Sequence, residues 1–309
     1  MKQVTMEQYR RRYFDRSFLT ENEVKLCETE AGDCRLPGRK PVSHKYSYGR
    51  ALIVAGSEGF SGAPALAANA CERGGAGLTQ VMVPNRIYSI VAAKCDGAVV
   101  TPVRSKENGT ADRVALAEIL PHLKRASACA VGPGLGHDQD ALEIVRAILR
   151  EATCPLVLDA DALTVCGMDM SMLSECRVPV ILTPHEGEFT RLGGELADGR
   201  LHGALKFAAE YPNAILVLKG YGTLICSGHE VTVNPTGSPA MAKGGSGDVL
   251  CGLICALLAQ GFNPLFSART AVYLHGLAGD LACSKLGEYC VAPSDLISFL
   301  PAAFKQTAL

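Results

Sequence analysis

Residues 128–158 read ACAVGPGLGHDQDALEIVRAILREATCPLVL, and the fold is decided there. Two short apolar runs, 128–131 and 156–158, flank a segment over 139–151 whose apolar residues recur at helical spacing. The runs carry no charge, which marks strands buried on both faces, as in a parallel sheet covered by helices. The same rhythm extends in both directions. Upstream lie strand-length runs at 51–55, 78–83 and 98–100, with helical stretches at 63–73 and 112–124. Downstream come runs at 180–183 and 215–218.

After Lys219 the pattern changes. Segments 223–226 and 230–234 bracket Ser227-Gly228-His229 and read as a hairpin, followed by long apolar helices over 245–259 and 264–285. Residues 1–45 are rich in charge and show no strand–helix alternation. They read as a helix and a linker ending near Pro37-Gly38-Arg39-Lys40-Pro41, too short for an independent catalytic domain. The expectation is one α/β domain over 46–309, its sheet mostly parallel with antiparallel strands toward the C-terminal part.

Of the 309 residues 48% are hydrophobic and 20% charged, enough apolar material for a substantial core. The formal net charge of -1 argues against a nucleic-acid partner, whose phosphates select basic faces, but not against a nucleotide. The thirteen cysteines are scattered, never spaced as CxxC, and mostly lie in apolar runs. They read as small buried hydrophobes of a reducing compartment, and no zinc pattern emerges. No apolar segment follows the RRYF at 11–14, so no signal peptide is expected. No run approaches the roughly eighteen apolar residues of a membrane span. A cytoplasmic location is expected.

Ligands of open α/β sheets bind beyond the carboxyl ends of the strands, and five segments fall there. In the first, 234–248 (NPTGSPAMAKGGSGD), Gly244, Gly245 and Gly247 leave backbone N–H groups unshielded at a helix start, where free donors and the positive dipole end attract anions. Asp248 there either caps the helix or takes a proton from a hydroxyl that attacks phosphorus. The second, Thr183-Pro-His-Glu-Gly-Glu188, sets His185 beside two carboxylates, and Glu188 could hold magnesium through water. Third is Gly132-Pro-Gly-Leu-Gly136, open to close ligand approach. In the fourth, Asp159 and Asp161 of LDADAL are caps or solvated acids on one reading, metal or hydrogen-bonding groups on the other. The fifth, Lys219-Gly-Tyr-Gly-Thr223, lets a nucleotide lie close, with Lys219 offsetting phosphate charge. AGSEGFSG at 55–62 lacks the spacing of a dinucleotide fingerprint and reads as a substrate loop.

In this order the segments resemble the ADP/ATP-dependent NAD(P)H-hydrate dehydratase family, a branch of the ribokinase-like superfamily, over about 46–300. The carriers are the loop at 56–62, GPGLG at 132, LDADAL at 158, LTPHEGEF at 182, LKGYGT at 218, VNPTGSPAMAKGGSGDVLCG at 233 and YLHGLAGDLA at 273.

The resemblance implies a three-layer α/β/α sandwich and ADP-dependent dehydration of the hydrated nicotinamide ring of NADHX or NADPHX, releasing AMP and phosphate. It implies Asp248 as base and an anion hole of Gly244, Gly245, Ser246 and Gly247. Nucleotide contacts would come from Lys219, Gly220, Tyr221, Gly222, Thr223, Asn234 and Gly247. Hydrate contacts would come from Ala63, Gly134, His185 and Asp248, and Glu188 would position Mg2+. ADP is the expected co-substrate and a homotetramer the expected assembly. The companion epimerase domain of many relatives does not fit in 45 residues, so a separate epimerase is the expected functional partner. Lys243 stands where many relatives carry a small polar residue. The rival readings are a ribokinase-like kinase for a vitamin precursor and a nucleotide-binding regulator without catalysis.

Overall fold

The computed structural model describes residues 1–17, 19 and 24–308. Its strands are β1 (Lys2–Gln3), β2 (Lys25–Glu28), β3 (Arg50–Val54), β4 (Leu78–Pro84), β5 (Val99–Val103) and β6 (Ala128–Val131). There follow β7 (Leu156–Leu158), β8 (Val180–Leu182), β9 (Ala214–Leu218), β10 (Leu224–Ser227) and β11 (Glu230–Val233). The helices are α1 (Met6–Tyr13), α2 (Gly62–Arg73), α3 (Tyr88–Ala92), α4 (Leu116–Leu123), α5 (Gln139–Glu151) and α6 (Asp161–Cys166). After them come α7 (Ser171–Glu175), α8 (Glu186–Arg191), α9 (Arg200–Glu210), α10 (Ser246–Ala259), α11 (Pro264–Leu286) and α12 (Pro293–Ala308).

All strands join one sheet in the order β1-β2-β11-β10-β9-β8-β7-β6-β3-β4-β5. The run from β9 to β5 is parallel, β10 pairs antiparallel with β9, and β10 and β11 form an antiparallel hairpin, as the charge-free runs and the Ser227-Gly228-His229 turn predict. Successive side chains of a strand point to opposite faces, and both faces are covered. Leu52, Val54, Val131, Leu158 and Leu182 pack on one side with Ile144 and Ile148 of α5 and Phe189 of α8. Ile53, Ala130, Val157, Ile181 and Val217 pack on the other with α10 and α11. The result is the expected three-layer sandwich.

Local chemistry explains the helix limits. Asp138 caps α5 by accepting from the N–H groups of Asp140 and Ala141, and Asn263 with Pro264 starts α11. The helix expected over 112–124 begins only at Leu116, because Asp112 first caps a short 3-10 turn. In α10, Gly252 permits close contact with α2, since a Cβ there would run into the Ala67 carbonyl.

The segment 1–45 holds the expected helix, but more than a linker follows it. β2 pairs in parallel with β11 and β1 pairs with β2, so the segment closes one edge of the main sheet. The thirteen cysteines are free, and all but Cys95, Cys283 and Cys290 are buried. No described helix is long and apolar enough to cross a membrane.

Candidate active site

The carboxyl ends of β7, β8 and β9 deliver Asp159, Thr183 and Lys219 to one place. Asp159 is 1% exposed, and its Oδ1 accepts from Thr183 Oγ1 at 2.7 Å and from Lys219 Nζ at 3.0 Å. Lys219 Nζ also lies 3.6 Å from Glu188 Oε2. Burial works against the ammonium, yet Asp159 and Glu188 outweigh it and hold its pKa above the ordinary lysine value. Lys219 therefore stays charged at the floor of the site.

Above it begins α10. Gly245, at φ +102, turns the chain into the helix, and a Cβ there would crowd Leu66 and Pro293. Gly247 lies over Lys219 Nζ, which a Cβ would meet at 3.4 Å. The N–H groups of Gly244, Gly245, Gly247 and Asp248 find no hydrogen-bond acceptor among the described residues. Ser246 differs from its neighbours. Its N–H donates to the Lys243 carbonyl and its hydroxyl to the Met241 carbonyl, so it shapes the turn.

Asp248 sits in the first turn of α10. Burial first, and then the Asp159 carboxylate, push its carboxyl up to about 7 against the pull of Lys219, with Asp161 and Glu188 adding to the rise. A carboxyl poised near neutrality at a helix start with free N–H donors suits a general base for a hydroxyl attacking an anion.

A cavity of 670 Å³ opens beside α10, lined by Lys219 to Thr223, Asn234, Ser246, Gly247 and His185. The segments expected at the nucleotide are thus brought together. Asn234 is buried and keeps its side chain on Thr236, accepting from Oγ1 at 3.0 Å and donating to the carbonyl at 2.9 Å, so it sets the loop from within. Ala63 and Gly134 adjoin each other beside Phe60 but do not line this cavity. The 132–136 loop is tied to Asp161, whose Oδ2 accepts from Gly136 N–H at 2.8 Å. His185 belongs to the cavity wall rather than to the Ala63–Gly134 flank, and its Nδ1 accepts from the N–H groups of Gly187 and Glu188 as the N-cap of α8. Lys243 donates to the Tyr289 carbonyl at 2.7 Å.

Glu188 is buried, and its Oε2 accepts from His185 N–H at 2.8 Å, completing a capping box. Among the described residues no three side chains form a direct metal cage. Asp159 and Glu188 nevertheless pair with Lys219, and the Asp159, Asp161 and Glu188 carboxylates all act on Asp248. Such a donor set fits a hydrated Mg2+ that arrives with phosphates and keeps most of its waters.

Three residues escaped the sequence reading. Arg200 donates to the carbonyls of Leu218, Lys219, Tyr221 and Gly222, and its Nε lies 3.1 Å from Glu186 Oε1. It fastens the KGYGT loop to the HEGE turn, and no local pattern marks it. His275 of α11, within a quoted segment but given no role, donates through Nε2 to the Ser246 carbonyl at 2.9 Å. Burial lowers its pKa to about 4, so the ring is neutral. Tyr13 of α1 lines the cavity from the segment read as a helix and linker.

A family model described as NAD(P)H-hydrate dehydratase matches residues 51–302. The bifunctional NAD(P)H-hydrate repair enzyme of Moorella thermoacetica is 39% identical over 94% of this chain and 54% of its own length. The ADP-dependent (S)-NAD(P)H-hydrate dehydratase of Listeria monocytogenes is 34% identical over 87% of this chain and 92% of its own. The chain spans about half the length of several curated relatives it matches. Among solved structures, the Bacillus subtilis ADP/ATP-dependent NAD(P)H-hydrate dehydratase co-crystallized with ATP/Mg2+ matches with TM-score 0.75 and 30% identity, over 91% of this chain and 98% of its own. A hydroxyethylthiazole kinase from Pyrococcus horikoshii, with TM-score 0.53 and 15% identity over 85% of this chain and 89% of its own, shares the fold alone.

Proposed function

The chain belongs to the NAD(P)H-hydrate dehydratase family, and from that premise we propose that it uses ADP to restore NADH or NADPH from their 6-hydroxylated hydrates. The observation that carries the reading is Asp248. Its carboxyl, raised to about 7, stands at the α10 start within the field of Asp159, Lys219 and Asp161, next to Gly247 of the cavity wall, and Asp161 also holds the GPGLG loop through Gly136.

The chemistry follows from a leaving-group problem. Hydroxide leaves the ring poorly, whereas phosphate leaves readily. Asp248 takes the proton of the 6-hydroxyl while its oxygen attacks the β-phosphorus of ADP, and the bond from that phosphorus to the bridging oxygen breaks to release AMP. The N–H groups of Gly244, Gly245 and Gly247 receive the charge that develops on the transferred phosphoryl. Lys219 balances the phosphates. The ring nitrogen then donates electrons as the C6–O bond breaks, C5 loses a proton, and phosphate departs with the ring double bond restored. Glu188 would hold Mg2+ through water, supplying charge neutralisation at the phosphates.

The catalytic unit in this reading is 46–309, with 1–45 as its buttress. Gly220, Tyr221, Gly222 and Thr223 face the nucleotide, with Asn234 fixing the 234–236 loop and Ser246 the turn before α10; Ala63 and Gly134 border the hydrate, and His185 reaches it from the wall of the nucleotide cavity. In this reading the protein works as a cytoplasmic homotetramer. Incubation with hydrated NADH and ADP should return the absorbance of NADH with one AMP and one phosphate formed per turnover. A stable phosphorylated product would instead identify a kinase. Asp248→Ala should bind ADP and lose turnover by about a hundredfold to ten-thousandfold. Undiminished turnover in that variant would overturn the assignment.

A further inference from the structure

The RRYF run at 11–14 has no part in the chemistry above, yet α1 places it on the nucleotide cavity. Arg12 and Tyr13 both line the wall that the KGYGT loop forms. Gly222 adopts φ +65 directly against the Tyr13 ring, where any Cβ would collide with it. The Tyr13 and Tyr221 rings lie 5.5 Å apart, tilted by 59°. Tyr221 is 66% exposed and Tyr13 only 7%. One ring is thus fixed and the other free to close over a ligand.

Tyr13 is held from several sides. Its hydroxyl donates to Glu28 Oε2 at 3.2 Å, the oxygen that also pairs with Arg12 at 2.6 Å. Tyr9 packs on its ring at 5.3 Å and donates to Asp15 Oδ2. Asp15 and Ser17 in turn accept from the N–H groups of Leu201 and His202, capping α9 behind a Gly199 that has no side chain to do so. Arg200, in the same first turn, grips the KGYGT carbonyls.

The direction of the loop assigns the ends of the cavity. Lys219 Nζ lies beneath Gly247 at the anion-binding start of α10, and the loop runs from there to Gly222 against Tyr13. A nucleotide with its phosphates at α10 and its length along this loop brings its base to Tyr13.

We propose that Tyr13, together with Tyr221, forms the nucleobase subsite of this cavity, so that the N-terminal segment sets affinity for the nucleoside part of the co-substrate. The inference rests on the nucleotide reading of the site. Calorimetric titration of the full chain with ADP, and separately with pyrophosphate, tests it. Tyr13→Leu should weaken ADP about tenfold, the scale of one lost base–aromatic stack, with pyrophosphate affinity held. Tyr13→Phe should restore ADP binding, and Tyr221→Leu, at an exposed position that leaves the fold intact, should repeat the ADP-selective loss. Equal weakening of ADP and pyrophosphate, or no weakening of ADP in either leucine variant, would overturn the proposal. Failure of the unaltered protein to bind ADP at all would overturn the nucleotide reading beneath it.

Discussion

At the scale of single residues, Asp248 fixes the pH behaviour. Its carboxyl is raised from the ordinary value to about 7, so the folded protein holds a proton that the unfolded chain has released. Stability tied to this group is therefore present below the unfolded value near 3.8 and is lost as pH rises through about 7. With Asp248 as the proposed base, activity runs the other way, because a base works only when deprotonated. The kcat/KM profile should rise through pH 7, and Asp248→Asn should abolish both the limb and nearly all turnover. Urea unfolding of Asp248→Asn should lack the loss of stability toward neutral pH. Gly245 supplies a second residue-scale expectation. Its φ of +102 and the crowding of Leu66 and Pro293 leave no place for a methyl group. Gly245→Ala should cost about 1–3 kcal/mol in denaturant melts and weaken phosphate binding at the helix start it shapes.

At the scale of elements, the site depends on joints between loops. Arg200 ties the loop after β9 to the turn after β8 through four carbonyls and Glu186. Arg200→Lys keeps the charge but loses the fork that spans these acceptors. Steady-state kinetics should show KM for ADP rising about tenfold, the scale of one lost charge-assisted hydrogen bond. Such joints mark the limit of sequence reading. The strands β6 and β7 and the helix α5 were legible at their observed limits because charge-free runs and amphipathic spacing are local signals. Gly244, Gly247 and Lys219 were legible because they follow strands or open a helix. The joint made by Arg200, the buried His275 beneath Ser246 and the Asp15 cap on α9 were not, since each depends on partners far away in the chain. Ser246 and Asn234 stood out as polar residues in a conspicuous segment, yet the structure commits both inward.

At the scale of the whole molecule, the parallel sheet gathers the carboxyl ends of β6 to β9 under one helix start, and the hairpin after Lys219 carries the chain round to Asn234. The N-terminal segment escaped a strand reading because β2 is only Lys25–Glu28 and gains its stability by pairing with β11. That pairing turns an apparent linker into the closing edge of the sheet and carries Tyr13 to the cavity. In the proposed reaction a poor leaving group is exchanged for a good one, and the oxygen that leaves the ring records whether that exchange occurs. The direct measurement is a single-turnover reaction of ADP with hydrate labelled with heavy oxygen at its 6-hydroxyl, followed by mass analysis of the products. Transfer from ADP to the hydroxyl, with Asp248 as base, places the label in inorganic phosphate. Label recovered in water, with unlabelled phosphate, would contradict it.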